Sequence, residues 1–168
     1  SSDVCSSDLF QTCTLTEEEV PVYAQWHTIT ISFAGPETAE TAPDNPFLDY
    51  RLIVEFQQEG SKKSIRGFYA ADGNAAETSA SSGAIWQVRF TPDKMGNWSY
   101  KAHLHKGKNI ALSDDLNTGE AVSISNSEGK FTISESEAKG DDFRAKGRLE
   151  AAGAFFKFRG TDNYRSEE

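Results

Sequence analysis

The sequence predicts an all-β fold, a sandwich of two antiparallel sheets. Apolar and polar residues alternate with a period of two along most of the chain, which is typical of strands with one buried face. Clusters of Gly, Pro, Asp and Asn separate these stretches, as at 43–46 and 92–97, and indicate turns. No segment has a sustained helical period, and the only helix-like composition, at 17–19, is too short for a stable helix. Many short strands joined by turns favour a sandwich.

The strands follow in chain order, and their alternation indicates which side chains form the core. We predict strands at 29–33, 48–57, 65–69, 86–90, 98–105, 121–124 and 131–133. In the second of these, Tyr50 shares one face with the apolar residues at every second position, so we expect that face to be buried. Asp49 and Arg51 lie on the opposite face, where we expect contact with solvent. Trp86 and Trp98 are in register with apolar neighbours and are predicted core residues.

The composition changes after residue 133 and predicts two domains. Residues 20–134 are predicted to form the sandwich, and the polar, charged residues 135–142 a linker. Residues 143–164 resume an apolar pattern and are predicted to be the truncated start of a second domain. Because a strand pair is not stable alone, we expect this tail to pack on the sandwich or to be poorly ordered. We also predict a turn at 35–36 and a flexible loop at 79–83.

Both ends of the chain are predicted to be translated sequencing adapter. Residues 1–9, SSDVCSSDL, are one translation of AGTTCAGACGTGTGCTCTTCCGATCT, and residues 165–168, RSEE, translate AGATCGGAAGAG. The reverse complement of the second string is the end of the first, so one end predicts the other. We therefore expect a natural segment cut at both ends, with a leader at 10–19, and we leave the adapter out of fold reasoning.

Charge and cysteine content argue against several classes of function. The formal net charge is −9, and removing the four acidic residues and one basic residue of the adapter segments makes it −6. Because Lys and Arg are not clustered, we do not expect nucleic-acid binding, and the bulk charge argues weakly against acidic polymers. Outside the adapter Cys13 stands alone, so neither a disulfide nor a Cys–His metal site is predicted. No apolar stretch approaches the ~18 residues of a membrane span.

Several stretches in a fixed order resemble one known module. They are 26–38, which ends in FAGPET; NPFLDYRL at 45–52; GFY at 67–69 and DGN at 72–74; WQVRFTP at 86–92 and GNWSY at 96–100; and GKFTI at 129–133. The series resembles the domain of unknown function 5060 (DUF5060), an immunoglobulin-like sandwich at the N-terminus of bacterial proteins of the glycoside-hydrolase type. The resemblance covers residues 20–134.

The resemblance implies a function. Residues 142–149 and 155–164 are similar to the start of the catalytic (β/α) barrel that follows in this family, whose active-site carboxylates lie further downstream. The implied function is a non-catalytic accessory domain of a secreted, periplasmic or cell-surface glycoside hydrolase, packed against that barrel and helping to shape a polysaccharide cleft. Two alternatives stay open: a stand-alone carbohydrate-binding module, and an adhesion or spacer domain without sugar contact.

Five residues are candidates for sugar binding: Trp26, Phe68, Tyr69, Asp72 and Asn74. Exposed aromatic rings stack on sugar rings, while acid and amide groups bind hydroxyls. Trp26 is out of phase with the strand that follows, so it stacks on a sugar or a partner domain or, alternatively, packs under a loop. Phe68 and Tyr69, with Asp72 and Asn74 beyond them, form the best candidate loop. The alternative is that both aromatics close the sandwich while Asp72 begins a turn.

The sequence predicts no metal site, no cofactor and no catalytic residue in this chain. His103 and His105 share a strand face, but no acid or cysteine completes a metal site there, so a solvated face is expected. No nucleophile elbow, P-loop or dinucleotide glycine pattern is present. The expected partners are the catalytic barrel of the same chain and a polysaccharide, not nucleic acid or membrane. Four acids near turns lack the spacing of an EF-hand loop: Asp44, Asp49, Asp72 and Asp93.

Overall fold

The computed structural model describes residues 20–113, 115–140, 142–159, 162 and 164. The predicted adapter segments 1–9 and 165–168 and the predicted leader 10–19 lie outside the described residues, as does the helix-like composition at 17–19. Within the described residues strands dominate, and each α-helix is a single turn. The predicted all-β class is therefore confirmed.

The described part of the chain forms eleven strands and three short helical segments. In chain order they are β1 Val22–Ala24, β2 Ile29–Ala39, β3 Tyr50–Gln58, β4 Ser61–Arg66, β5 Phe68–Tyr69, α1 Ala75–Thr78, β6 Ser82–Phe90, β7 Gly96–Lys106, a 3₁₀ turn Ile110–Leu112, β8 Glu120–Val122, β9 Glu128–Ser134, α2 Phe143–Lys146, β10 Leu149–Ala152 and β11 Phe155–Phe158.

The strands form two main sheets. The larger has the order β1-β9-β7-β3-β4, with β8 also paired to β7, and the smaller has the order β2-β6-β5. The β1–β9 pair is parallel and the other pairs are antiparallel. The chain passes from one sheet to the other at Gly67, which divides the predicted strand 65–69 into β4 and β5. A Cβ atom at Gly67 would collide with the Leu52 side chain and the Gln87 carbonyl, so this close crossing requires glycine.

The core lies between the two sheets. The ring of Phe56 from the larger sheet stacks on that of Phe90 from the smaller, with 4.1 Å between centroids. Trp86 and Trp98 are each 1% exposed, which confirms the predicted core positions. Burial of each large apolar side chain stabilises the fold by about 1.5–3 kcal/mol. Inward-facing side chains from both sheets therefore make this a sandwich-like structure.

The prediction that Asp49 and Arg51 face solvent is wrong, since each is only 3% exposed. Residues 107–113 and 115–119, which we call the covering segment, fold over this part of the outer face of β3. The Arg51 guanidinium donates to the carbonyl oxygens of Ser113, Asp115 and Thr118 at 3.1, 2.8 and 3.2 Å. The alternation of residues along β3 identified the outer face correctly, but it did not reveal the covering segment.

Two segments predicted to be irregular, 35–36 and part of 79–83, lie within strands. The predicted turn at 35–36 is wrong, because β2 continues to Ala39 with a shift of register between Ala34 and Thr38. Proline is tolerated there because β2 is an edge strand. The predicted loop at 79–83 is partly wrong, because β6 begins at Ser82 and pairs with Ala39.

The described residues after β9 include a third, two-stranded sheet. Residues 135–139 have no regular structure, and β10 pairs with β11 in an antiparallel hairpin. Phe158 is buried, at 4% exposure, while Phe155 and Phe156 are exposed. In the described part of the chain, no helix combines the length and apolarity needed to cross a membrane.

Candidate functional site

Phe68 and Tyr69 form the edge strand β5 but differ in exposure. Tyr69 is 6% exposed, and its hydroxyl lies 2.6 Å from the carbonyl oxygen of Thr38 and 3.1 Å from that of Gly83. Burial raises the pKa of this phenol. Phe68 is 38% exposed, and the Arg89 guanidinium lies 5.3 Å from its ring centroid. Phe68 can therefore present its ring to a ligand, whereas the Tyr69 hydroxyl is engaged within the protein.

Asp72 and Asn74 form a turn before the short helix α1. The Asp72 carboxylate accepts hydrogen bonds from Thr78 Oγ1 at 2.7 Å and from the Asn74 backbone amide at 2.8 Å. These bonds, that of Thr78 first, lower the pKa of Asp72. The carboxylate thus stabilises its own turn, which favours the alternative interpretation of this pair, and sugar binding by them stays a prediction.

A small aromatic cleft of about 110 Å³ lies beside Phe68 and is also lined by Phe47, Tyr69 and Arg66. The Phe47 ring packs edge-on against Tyr69, with 5.9 Å between centroids, yet it is 50% exposed. The Arg66 guanidinium donates to the Ala111 carbonyl at 2.5 Å. Sequence reasoning did not select Phe47 as a site residue. The available signal was its place directly after a predicted turn, because turns bring side chains to the end of a sandwich.

Trp26 lies elsewhere, where the sandwich meets residues 143–148. Its φ is 65°, and its backbone amide donates to the Pro92 carbonyl at 3.0 Å. Gly147 packs on the indole so closely that an added Cβ would lie 3.4 Å from ring atoms. Two adjoining clefts, of about 450 and 390 Å³, share Trp26, Asp93, Gly147 and Arg148. We call these two clefts together the junction cleft.

The junction cleft is basic. Among the described residues that line it, Asp93 is the single acid, and its carboxylate is bound to Lys63 Nζ at 2.5 Å. Burial opposes ionisation of Asp93, but the hydrogen bond from Lys63 and the charges of Lys63 and Lys94 outweigh it and lower its pKa. The cleft has six cationic side chains: Lys63, Lys94, Arg144, Lys146, Arg148 and Arg159.

The six cations differ in how far they are engaged. Arg144 forms an ion pair with Asp142 at 2.6 Å, and this hydrogen bond lowers the pKa of Asp142 to about 2. Lys63 is bound to Asp93, and Lys146 has contacts within the tail, including the Phe158 ring at 5.8 Å. The other three form no ion pair or side-chain hydrogen bond with a described residue: Lys94, Arg148 and Arg159.

The predicted metal candidates do not converge. The imidazole centroids of His103 and His105 are 6.5 Å apart on the outer face of β7. Burial, and then the charges of Arg51 and His103, lower the pKa of His105. Across the described ranges, no group of three or more His, Cys, Asp or Glu side chains is arranged to hold a metal ion. Three of the four turn acids instead pair with lysines: Asp44 with Lys106, Asp49 with Lys108 and Asp93 with Lys63.

Asp49 joins two turns at one end of the sandwich, a role that sequence reasoning missed. Its carboxylate accepts hydrogen bonds from the backbone amides of Asn45 at 3.1 Å and Asn109 at 2.8 Å, and from Lys108 Nζ at 3.2 Å. The Asn109 amide bond is the largest cause that lowers the pKa of Asp49. The nearest sequence signal was the pair of charged residues, Asp49 and Arg51, that flanks the start of β3.

Comparisons with known proteins connect the chain to one family. A family model described as a domain of unknown function (DUF5060) matches residues 22–105, half of the 168 residues. No curated protein matches the chain. Among solved structures, a "putative glycoside hydrolase" from Bacteroides vulgatus is similar, with 23% sequence identity and a TM-score of 0.48. The match covers 83% of this chain and 20% of that one, so the chain spans about a fifth of that protein's length.

Proposed function

The chain belongs to the DUF5060 family, and from this premise we propose that it is a non-catalytic, immunoglobulin-like accessory domain of a glycoside hydrolase that acts on a polysaccharide. In this proposal residues 20–134 form the accessory domain, 135–142 the linker and 143–164 the beginning of the catalytic unit. The parent protein acts at the cell surface, in the periplasm or outside the cell. The resemblance of the motif series supports these assignments.

The exposed aromatic side chains of α2 and the hairpin are the observation that carries the proposal. Phe143, Phe155 and Phe156 are 60%, 66% and 57% exposed. A two-stranded hairpin is marginally stable alone, and three exposed aromatic rings within this short stretch favour its coverage by another unit. Because Gly147 is seated on Trp26, a unit that covers the hairpin would lie beside the sandwich. This arrangement supports an accessory domain that packs against the catalytic unit.

The ionisation of the described acids favours a non-catalytic domain. A glycosidase needs one carboxylic acid with a raised pKa to protonate the leaving group. Every described carboxyl group with a resolved shift has a lowered pKa, because hydrogen bonds or cations stabilise its ionised form. These groups are Asp49, Asp72, Asp93, Glu128 and Asp142.

Hydrogen exchange in the parent protein tests the proposal. The parent gene is recovered, and its full-length product is compared with the 168-residue chain. We expect the amides of β10 and β11 to be protected more strongly in the full-length protein, because the catalytic unit covers Phe155 and Phe156. The amides of β3 and β7, already inside the sandwich, serve as the internal control. Equal protection of the hairpin in both proteins, or a downstream sequence that does not encode a glycosidase-type domain, would refute the proposal.

The second candidate function is a stand-alone carbohydrate-binding module. The aromatic cleft favours it, because Phe47 and Phe68 present partly exposed rings next to a guanidinium group. Such a module would bind glycans without any downstream unit. Full glycan affinity in the isolated chain, with loss of that affinity in Phe68→Ala and no effect of Phe155→Ala, would favour this candidate over the accessory domain.

A further inference from the structure

We propose that the junction cleft binds an anionic sugar residue of a polysaccharide, one that carries a carboxylate or a sulfate ester. The part of the Trp26 indole that Gly147 leaves open provides the apolar contact for the ring, and Lys94, Arg148 and Arg159 provide the cations that meet the anionic group. This inference rests on the proposed function in one respect, since it names the class of glycan that the accessory domain would bring to its enzyme.

The size and composition of the junction cleft fit a sugar residue. Its two parts measure about 450 and 390 Å³, within the range of about 300–1,000 Å³ that is usual for ligand sites. Sites of this kind occur preferentially where two structural units meet. Trp26 lines both parts and is half-buried. The aromatic cleft, at about 110 Å³, is much smaller.

The local charge favours an anion. The whole chain has a formal charge of −9, yet the cleft brings together six cations and one acid. The tail contributes to this difference, because residues 142–159 contain five basic and two acidic side chains. A cleft lined by one sign of charge raises the local concentration of ligands of opposite sign. The bulk charge, which argues weakly against acidic polymers, therefore does not describe the local charge of this cleft.

The cations that would bind the anion are uncommitted. Asp93 is bound to Lys63 and Asp142 to Arg144, so these two neighbouring acids are already paired. Lys94, Arg148 and Arg159 form no ion pair with a described residue, and all three are exposed. The guanidinium groups offer planar, bidentate donors, the geometry that suits carboxylate and sulfate oxygens. A ligand therefore does not have to break an existing ion pair.

Affinity electrophoresis of the 168-residue chain tests the inference with three embedded glycans: polygalacturonate, κ-carrageenan and dextran. Polygalacturonate carries carboxylates, κ-carrageenan carries sulfate esters, and dextran is neutral. The variant Arg148→Glu removes a cleft cation. Lys130→Glu is the matched control, because Lys130 is exposed on β9 and the substitution changes the net charge by the same amount. Circular dichroism verifies the fold of each variant.

We expect retardation in at least one charged gel and none in dextran, and the responding gel identifies carboxylate or sulfate as the bound group. Arg148→Glu should weaken the affinity about tenfold, the loss typical of one charged hydrogen bond, and Lys130→Glu less than about twofold. Three results would overturn the inference: no retardation in either charged gel, equal retardation in dextran, or equal loss in both variants. The proposed function fails on a separate measurement, hairpin protection in the parent protein, so the two failures are distinguishable.

Discussion

Replacement of Arg51 by methionine tests whether a buried guanidinium holds the covering segment, residues 107–113 and 115–119, against the larger sheet. Methionine retains most of the aliphatic volume at this position, which is 3% exposed. It removes the donors to the carbonyl oxygens of Ser113, Asp115 and Thr118. The segment would then cover β3 without any polar anchor from Arg51.

The expected loss of stability follows from these contacts. A hydrogen bond from a charged donor contributes about 1.5–3 kcal/mol. Asp115 and Thr118 are exposed, so water replaces part of what their carbonyl oxygens lose. The Arg51 Nε atom is buried and has no hydrogen-bond partner among the described residues, so its removal relieves about 1 kcal/mol of desolvation. We therefore expect the free energy of unfolding to fall by about 3 kcal/mol, and Tm by about 10 °C.

Urea denaturation of the wild type and two variants measures this loss. Arg66→Met is the matched control, because the exposed Arg66 also donates to carbonyl oxygens of this segment, at Ala111 and Ser113. We expect Arg66→Met to cost less than about 1 kcal/mol, as exposed polar contacts do. If both variants lose the same stability within about 0.5 kcal/mol, the buried guanidinium is not what holds the segment.

Three further predictions concern the core, an ion pair and the junction. Phe131→Ala should lower the free energy of unfolding by about 3–5 kcal/mol, because Phe131 is 2% exposed. Phe155→Ala, at a residue 66% exposed, should change it by less than about 0.5 kcal/mol, and similar losses in urea would contradict the assigned core. Arg144→Ala should raise the pKa of Asp142 from about 2 toward its ordinary 3.8, as followed by NMR. Because the pKa is lowered in the folded chain, the ion pair stabilises the fold at pH values above 3.8, and this stabilisation is lost as the pH falls toward 2. An unchanged Asp142 titration in the variant would exclude the ion pair in solution. Gly147→Ala should shift tryptophan fluorescence emission to the red. The backbone φ at Gly147 is 77°, so alanine strains the backbone there, and the shift of the backbone uncovers the Trp26 indole. An unshifted spectrum would show that Gly147 does not cover the indole.

The longer strands were predictable because burial of one strand face makes apolar and polar residues alternate along the sequence. The strands β3, β6, β7 and β9 lie close to their predicted places, and Trp86 and Trp98 are in the core. The extension of β2 through Gly35 and Pro36 was not predictable from composition. It depends on Trp86 on the neighbouring strand, whose indole lies so close that a Cβ at Gly35 would come within 2.8 Å of it.

The candidate sites were less accessible to sequence reasoning because they depend on contacts between distant residues. Local spacing suggested that Phe68 and Asp72 belong to one loop, but the Asp72 carboxylate binds within its own turn. The sequence signal at Trp26 is local, since Trp26 is out of phase with β2. Its neighbours Arg148 and Arg159 lie more than a hundred positions away in the sequence, and no periodicity connects them. Only the folded chain brings these cations to the indole.

The most direct test of the account is the release of reducing ends from glycans by the purified 168-residue chain. Incubation with polygalacturonate, κ-carrageenan and dextran should yield no new reducing ends above a heat-denatured sample. That result is predicted because the described acids with shifted pKa values are all held in the ionised form. Release that persists through purification and is lost on heating would contradict the proposal that this chain is a non-catalytic accessory domain.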